Sequence, residues 1–397
     1  MIVGVVAESC PGETRVALTP ANVAQLKKRG LEVLIQAGAG AGAGHGDSDY
    51  ESAGAEVVNS RADVFARADI LSQVQSFGSN RATAEADLPL LRNGQLVVGM
   101  MDPLGEPQSA SVLAEKGVTG VALELVPRIT RAQSMDVLSS MATIGGYKAV
   151  LVAASNSGRI FPMMMTAAGT LQAARVFVMG AGVAGLQACA TAKRLGAVVE
   201  AYDVRPAARE QILSVGAKPI ELALETETAE GKGGYAKAQS DDFIKRQQEL
   251  MSEVLAQQDI VITTAAVPGA KSPILVTTDM VKRMKPGAVI VDMAAERGGN
   301  CELTKLGETV VEHGVTIIGP SNLTATVAQH ASQMFGKNVE NLLLHLVDEN
   351  GQLNLDFADE IVRETVVSHQ GDVVHERMRE LLGLPSPAPS APQAAES

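Results

Sequence analysis

Residues 175–205 read RVFVMGAGVAGLQACATAKRLGAVVEAYDVR. A short apolar strand leads into a turn carrying Gly180, Gly182 and Gly185, an Ala-rich helix follows to Leu195, and a second apolar strand ends at Asp203. A lone GxGxxG is a weak signal. Here strand, glycine turn, helix and an acidic residue 18 positions after Gly185 complete the four-part dinucleotide fingerprint. Gly180 permits the tight turn, Gly182 lets a pyrophosphate approach the backbone, and Gly185 lets the helix pack closely on the strand. The free N–H groups at the helix start then point at the phosphates. Asp203 chooses the nucleotide: its carboxylate accepts the hydroxyls of an adenosine ribose, whereas a 2′-phosphate ~4 Å away is repelled by ~4 kcal/mol at an effective dielectric of about 20. NAD(H) is expected over NADP(H), with Arg205 the neighbour able to reach a phosphate.

The alternation of strand and helix extends outward from this unit. DIVITTA, AVIVDM and VTIIG supply further strands, so one doubly wound sheet is expected over 141–327. A second series occupies the start of the chain: IVGVVAE, a helix over TPANVAQLKKRG beginning at Thr19 with Pro20 in its first position, then EVLIQAG, DILSQVQ, QLVVGMM and VTGVALELV. The run Gly38, Gly40, Gly42, Gly44 also follows a strand, but no acidic residue ends the next strand at the right distance, so it reads as a turn. Between the two series, 134–157 lacks Pro and is small and apolar on several faces, as expected of a long buried connecting helix. Beyond Asn322 the pattern is helical, shows no further sheet, and is expected to fold back on the first domain. The fold class predicted is α/β, with two Rossmann-like doubly wound parallel-sheet domains joined by long helices. The first domain takes 1–140 plus 328–384, the nucleotide domain 141–327, and a disordered Pro/Ala-rich tail 385–397. The polar insertion ETETAEGKGGYAKAQSDD, 225–242, is either a surface excursion or a lid that lays Tyr235 on a ligand.

Composition narrows the function. The chain has 397 residues, 46% apolar, with 3% aromatics and no Trp, and a net charge of -12, which disfavours nucleic acid and anionic lipid as partners. No run of about 18 predominantly apolar residues stands out, and the N-terminus has no basic region ahead of its apolar residues, so neither a span nor a signal peptide is expected. Cys10, Cys189 and Cys301 show no ligand spacing and read as buried reduced thiols; no metal site is expected. Met163, Met164 and Met165 read as core filler. Arg128, Arg131, Gln133 and Asp136 form either a solvated helix cap or a polar loop over the nicotinamide end of an interdomain cleft. No histidine falls between 46 and 312. Oxidation of an alcohol or amine needs a group to take the substrate proton, most often His or Lys. Hydride exchange between two nicotinamides needs none.

RVALTP (15–20), RITRAQSMDVLSSMATIGGYKAV (128–150), FPMMMTAAGT (161–170), GAGVAG with DVRP, GGYAK and MAAERGGNCE (293–302) occur in order. Together they resemble the NAD(H)-binding part of the alpha subunit of the proton-translocating, Re/Si-specific NAD(P) transhydrogenases, over nearly all of 1–384. The resemblance implies a homodimer that binds NAD(H) and exchanges hydride with NADP(H) held on a beta subunit. It also implies membrane-embedded partner subunits that move protons, and a cytoplasmic location on the inner membrane through those partners. It implies that Arg128, Gln133, Asp136 and Ser139 surround the nicotinamide, with Gln133 reaching toward the partner's nucleotide. Val183, Asp203, Val204 and Arg205 would hold the adenosine half, Gly234 and Tyr235 would belong to a mobile loop, and Gln247 and Ala266 would line the site. Alanine dehydrogenases share RVALTP, but their catalytic lysine and histidine align with Gln75 and Asp102. An amino acid oxidoreductase and a non-catalytic NADH sensor are the alternatives.

Overall fold

The computed structural model describes residues 1–221 and 241–385. The chain divides into two compact units, one formed by Met1–Ser140 with the segment from Ala328 onward, the other by Met141–Val327.

In the first unit, β1 (Ile2–Val5), β2 (Glu32–Gln36), β3 (Glu56–Val58), β4 (Ile70–Gln75), β5 (Leu96–Met100) and β6 (Thr119–Ala122) lie in the order β3-β2-β1-β4-β5-β6, all parallel. Apart from the edge strand β3, their continuous apolar runs are buried on both faces, as a parallel sheet flanked by helices requires: Val3, Val5, Ile35, Ile70, Leu71 and Val98 are all fully buried. The helix Pro20–Lys28 starts as its sequence dictates, with Thr19 extended at the N-cap and Pro20 first in the helix. The glycine run after β2 is accounted for by packing. A Cβ on Gly40 would meet the Tyr50 ring at 2.5 Å, and one on Gly42 the Thr14 carbonyl at 2.7 Å.

In the second unit, β7 (Met164–Thr166) and β8 (Gly169–Leu171) form a hairpin of their own. β9 (Arg175–Met179), β10 (Val198–Tyr202), β11 (Lys218–Pro219), β12 (Ile260–Thr263), β13 (Val289–Asp292), β14 (Thr309–Glu312) and β15 (Val315–Ile318) make the main sheet in the order β11-β10-β9-β12-β13-β15-β14. All pairs are parallel except β14 with β15. Counting only parallel strands, both units have the order 3-2-1-4-5-6, the doubly wound arrangement that opens a crevice where the winding reverses.

Four expectations are corrected. The segment after Asn322 does contain strands: β16 (Val366–His369) pairs antiparallel with β6, and β17 (Asp372–Val373) pairs with β16. VVSHQGDVV is too short to show a period, and Gln370 at φ 47 with Gly371 makes its tight turn. Met163, Met164 and Met165 are not core; they are 58%, 46% and 78% exposed on the β7–β8 hairpin. Cys10 is only partly buried, unlike Cys189 and Cys301, whose thiols burial pushes up to about 12 and about 11. Finally, the helix Val137–Asn156 is long and apolar enough by length and composition to span a bilayer. Its Ala149, Val150 and Ala153 instead pack with Val176 and Val178 in the core of the second unit. The expected lid residues Gly234 and Tyr235, and the tail beyond Pro385, lie outside the described residues.

Candidate functional site

The glycine turn sits between β9 and the helix Val183–Arg194, at the carboxyl end of an interior strand flanked by β10 and β12. Gly180 has φ +98°, which a side chain would strain, and a Cβ there would also lie 2.6 Å from Thr264 Oγ1. Gly185 is tighter: a Cβ would stand 1.8 Å from the Gly180 carbonyl oxygen. A Cβ on Gly182 meets nothing within 4 Å. The three glycines therefore differ in kind. Two are demanded by the protein's own packing, and the middle one borders open space beside helix N–H groups that have no intrahelical acceptor. An anionic group fits that space, since nothing else in the fold requires a glycine at 182.

Thr264, just past β12, donates through Oγ1 to the Gly180 carbonyl at 2.9 Å and so ties the turn to the neighbouring strand. Ala265 is gripped in turn by Asn300, whose Oδ1 accepts from the Ala265 N–H at 3.1 Å and whose Nδ2 donates to the Ala265 and Pro273 carbonyls, both at 2.9 Å. Asn300 is itself held by Asp292, a fully buried carboxylate at the end of β13. Asp292 accepts from Thr263 Oγ1, Thr304 Oγ1 and the N–H groups of Ala294, Asn300 and Cys301. The exposed Ala266 extends from this braced backbone. Sequence reasoning does not single out Asn300 and Asp292. GGN after an apolar strand ending in Asp is a loop signal, and only the three-dimensional pairing shows that it anchors a second loop.

Asp203 follows β10 directly. Its Oδ2 accepts from the Ala181 N–H at 2.7 Å, so the carboxylate faces the glycine turn. Its remaining contacts are to Arg205: Oδ1 accepts from the backbone N–H at 2.9 Å and from Nε at 2.8 Å, and Oδ2 from Nη2 at 2.8 Å. Val183 is 39% exposed at the helix start, Val204 is half-buried beside Asp203, and Gln247 is buried on the helix Asp241–Leu255. Gly180, Gly182, Val183, Gly185, Asp203, Val204, Arg205, Gln247 and Ala266 all belong to the second unit.

Arg128, Gln133, Asp136 and Ser139 belong to the first. Residues Thr130–Met135 form a 3-10 turn ahead of the long helix, and Asp136 caps that helix: Oδ1 accepts from the Ser139 N–H at 2.9 Å and Oδ2 from Ser139 Oγ at 2.6 Å. Arg131 makes a bidentate pair with Asp359, both contacts at 2.7 Å, and His345 Nε2 lies 3.1 Å from the same carboxylate. Arg128 and Gln133 are exposed. The segment thus combines a helix cap with an ion pair, and presents an exposed Gln and Arg from a braced turn.

The carboxyl ends of β1 and β4 carry a different polar centre. Arg15 Nε and Nη2 donate to Glu13 Oε1 and Oε2 at 2.7 and 2.6 Å, and both side chains are excluded from solvent (2% and 0% exposed). Gln75 Nε2 contacts Glu13 at 3.5 Å, and its Oε1 accepts from Ser79 Oγ. Asp102, held at φ 49°, pairs with Arg81 at 3.1 Å. Glu8 accepts from the Val74 and Gln75 N–H groups, and burial pushes its carboxyl up to about 7. Among the described residues no group of three or more His, Cys, Asp or Glu is placed to hold a metal ion.

Comparison with known proteins fits this geometry. The family description "Alanine dehydrogenase/PNT, N-terminal domain" matches residues 4–145, and "Alanine dehydrogenase/PNT, C-terminal domain" matches 149–376. The chain is 45% identical to an NAD(P) transhydrogenase alpha-subunit chain of Rhodospirillum rubrum over 94% of its own length and 98% of that protein. A transhydrogenase crystal structure from Sinorhizobium meliloti superposes with a TM-score of 0.81 at 44% identity, covering 95% of this chain and 100% of that one. Alanine dehydrogenase of Mycobacterium tuberculosis is more distant, at 31% identity over 98% of this chain and 99% of that protein. With both family domains matched and near-complete coverage at this identity, the chain belongs to the alanine dehydrogenase/PNT family and, within it, to the NAD(P) transhydrogenase alpha subunits.

Proposed function

We propose that the chain is the NAD(H)-binding subunit of a proton-translocating transhydrogenase, exchanging hydride with NADP(H) bound on a beta subunit. The observation that carries this is the glycine turn, where Gly182 faces open space while Gly180 and Gly185 are demanded by packing, with Asp203 anchored to the same turn. Gly182 and the helix start would hold the pyrophosphate. Asp203, Val204, Arg205 and Val183 would hold the adenosine half, and Ala266 and Gln247 would line the remainder. Bound NADH supplies the hydride. The chain's own residues bind and orient it, and no His or Lys is needed because no proton moves in that step. Arg128, Gln133, Asp136 and Ser139 would serve the nicotinamide end, with Gly234 and Tyr235 as further cofactor-binding residues.

The family name carries partner subunits with it, and proton coupling through membrane-embedded chains on the cytoplasmic face of the inner membrane is part of the same proposal. A homodimer is the assembly we assign, and the exposed apolar hairpin carrying Met163, Met165 and Leu171 supplies surface that a second copy would cover. Mixing the chain with NADH and an NADP(H)-binding partner, then following reduction of an NADP analogue, tests the reading. Gln133→Ala should slow exchange at least tenfold while changing NADH affinity less than threefold; equal losses would make Gln133 a binding residue only. Turnover of alanine by the chain alone would overturn the proposal in favour of an amino acid dehydrogenase, and tight NADH binding without exchange would favour a sensor.

A further inference from the structure

The helix Ala328–Leu346 turns a polar stripe toward the 3-10 turn Thr130–Met135. Asn338, Asn341 and His345 are spaced by three and four residues and so share one face of that helix. Asn338 Nδ2 and Asn341 Nδ2 donate to a single atom, the Ser134 carbonyl oxygen, at 2.8 and 3.0 Å, and together fill its two lone pairs. His345 Nε2 lies 3.1 Å from Asp359, whose carboxylate grips Arg131 through both oxygens. Asp359 is itself fixed as the cap of the helix Glu360–Thr365, where its Oδ1 accepts from the Ile361 N–H at 2.7 Å. The turn is therefore clamped at Arg131 and at Ser134, on either side of Gln133. Ala132 and Met135 are buried and anchor it further, while Gln133 stays exposed. A 3-10 turn has poor hydrogen-bond geometry of its own, so a side chain it presents is held mainly by such bracing from outside.

Stability alone does not account for the bracket. Asn338 is 6% exposed, and its Oδ1 is buried with no hydrogen-bond partner among the described residues. A buried carbonyl oxygen left unpaired is unfavourable, and a leucine, branched at the same atom and flanked by the buried Val339 and Leu342, would avoid the penalty. Given the hydride-exchange reading above, on which this rests, we infer that Asn338, Asn341 and Asp359 are positioning residues for Gln133, holding the turn so that its side chain meets the nicotinamide end in one geometry. Every contact of the bracket lies within the first unit, whereas the glycine turn and Asp203 lie in the second. Loosening the bracket therefore leaves the main nucleotide contacts in place and acts on the alignment of the reacting groups, where a misplacement of ~1 Å can slow a reaction ~100-fold.

Exchange from NADH to an NADP analogue on an NADP(H)-binding partner would be measured at saturating nucleotide for the wild-type chain, Gln133→Ala, Asn338→Leu combined with Asn341→Leu, all three substitutions together, and Asp359→Asn. NADH dissociation constants and melting temperatures of each chain alone accompany the rates. The leucine pair should exchange at about a tenth of the wild-type rate, bind NADH within about threefold of wild type and melt within a few degrees of it, a separation that general loosening of the fold does not produce. Because the bracket acts through Gln133, the triple variant should be no more than about twofold slower than Gln133→Ala alone. Asp359→Asn keeps an acceptor for the Ile361 N–H and removes the charge that binds Arg131; it should slow exchange about threefold or more, and carries the same test if the leucine pair fails to fold. A wild type that does not exchange, or a Gln133→Ala chain that exchanges like wild type, would overturn the underlying reading and this inference with it. Three results would overturn the inference alone: unchanged exchange in the bracket variants, equal losses of exchange and NADH affinity, or a triple variant slower than Gln133→Ala by the full factor of the leucine pair.

Discussion

Gly182→Ala and Gly185→Ala differ by one methyl group at sites three residues apart, and the structure gives them opposite expectations. At Gly185 the new Cβ would lie 1.8 Å from the Gly180 oxygen and 2.9 Å from its carbonyl carbon, both backbone atoms. Reaching even the 3.0 Å floor for such contacts takes a displacement of about 1.2 Å between the helix and the turn. Overpacking of this kind costs ~1–3 kcal/mol, or about 2–4 °C in melting temperature for each kcal/mol in a domain of this size. At Gly182 the φ of -76° suits any residue, and the added methyl meets nothing. The small loss of N-cap preference and the small entropic gain of Gly→Ala offset each other, leaving stability within ~0.5 kcal/mol of wild type. If Gly182 is where a pyrophosphate meets the backbone, the same methyl stands in its path and NADH affinity falls at least tenfold, about 1.4 kcal/mol. Melting by differential scanning calorimetry and titration of NADH fluorescence, free of Trp interference because the chain has none, read the two quantities separately. A Gly182→Ala chain that melts and binds NADH like wild type would refute the assignment of the turn.

Asn300→Ala strips the Ala265 N–H and the Ala265 and Pro273 carbonyls of their partner at a fully buried site, so at ~1–3 kcal/mol for each buried group left unpaired, thermal stability should drop by ~3 kcal/mol or more. The Arg131 guanidinium holds the Asp359 carboxyl well below the usual range; its contribution is present above pH ~4 and is lost as the pH falls through the depressed value. Asp359→Asn should therefore flatten the acid side of a melting-temperature-against-pH curve. Glu8 and Glu124 behave oppositely: burial raises each from 4.5 to about 7, so the native state holds protons that the unfolded chain releases. Their contribution is full below about 4.5 and declines as the pH rises through 7, and carboxyl ¹³C titration should locate both midpoints near neutrality.

Most of the architecture is legible in the sequence because strands buried on both faces must be continuously apolar, and IVGV, VVGM, RVFV and VIVD announce themselves in that way. The glycine turn is legible for a related reason: φ +98° at 180 and a 1.8 Å approach at 185 leave no alternative to Gly. What escapes a reading of the residues depends on distant partners. β16 and β17 are short, and only the free edge of β6 makes them strands. The methionine triplet has the composition of a core segment, and the exposure of the hairpin that carries it is not written in its residues. Asn300 and Asp292 are ordinary loop residues until the chain brings 263–265, 292 and 300–304 together. The apolarity of 137–156 reads as burial, which holds for one face with Ala149, Val150 and Ala153 but not for Tyr147 at 42% exposure, and it conceals a helix that also passes for a span, because small residues such as Gly145, Gly146 and Ala149 make a helix apolar without making it bulky. Gly146 uses that smallness: a Cβ there would lie 2.1 Å from the Ala184 carbonyl oxygen.

The first unit bears on why a fold shared with alanine dehydrogenases supports a different reaction here. An amino acid or 2-oxo acid needs a cation for its carboxylate and a group to handle its proton. Arg15 is the cation at hand, but its guanidinium is bound at both Nε and Nη2 by Glu13 in a site closed to solvent. A substrate carboxylate would have to displace Glu13 and leave it buried without its partner, a change on the order of 3–5 kcal/mol for broken buried pairs. Gln75, where the resemblance puts the alanine dehydrogenases' catalytic lysine, is an amide engaged with Ser79 and Glu13. Asp102, where the resemblance puts their histidine, is ion-paired to Arg81. Restoring amino acid oxidation therefore takes more than one residue. Gln75→Lys alone would place a third charged group beside a satisfied ion pair, and should yield no alanine turnover unless Glu13 is released from Arg15 as well.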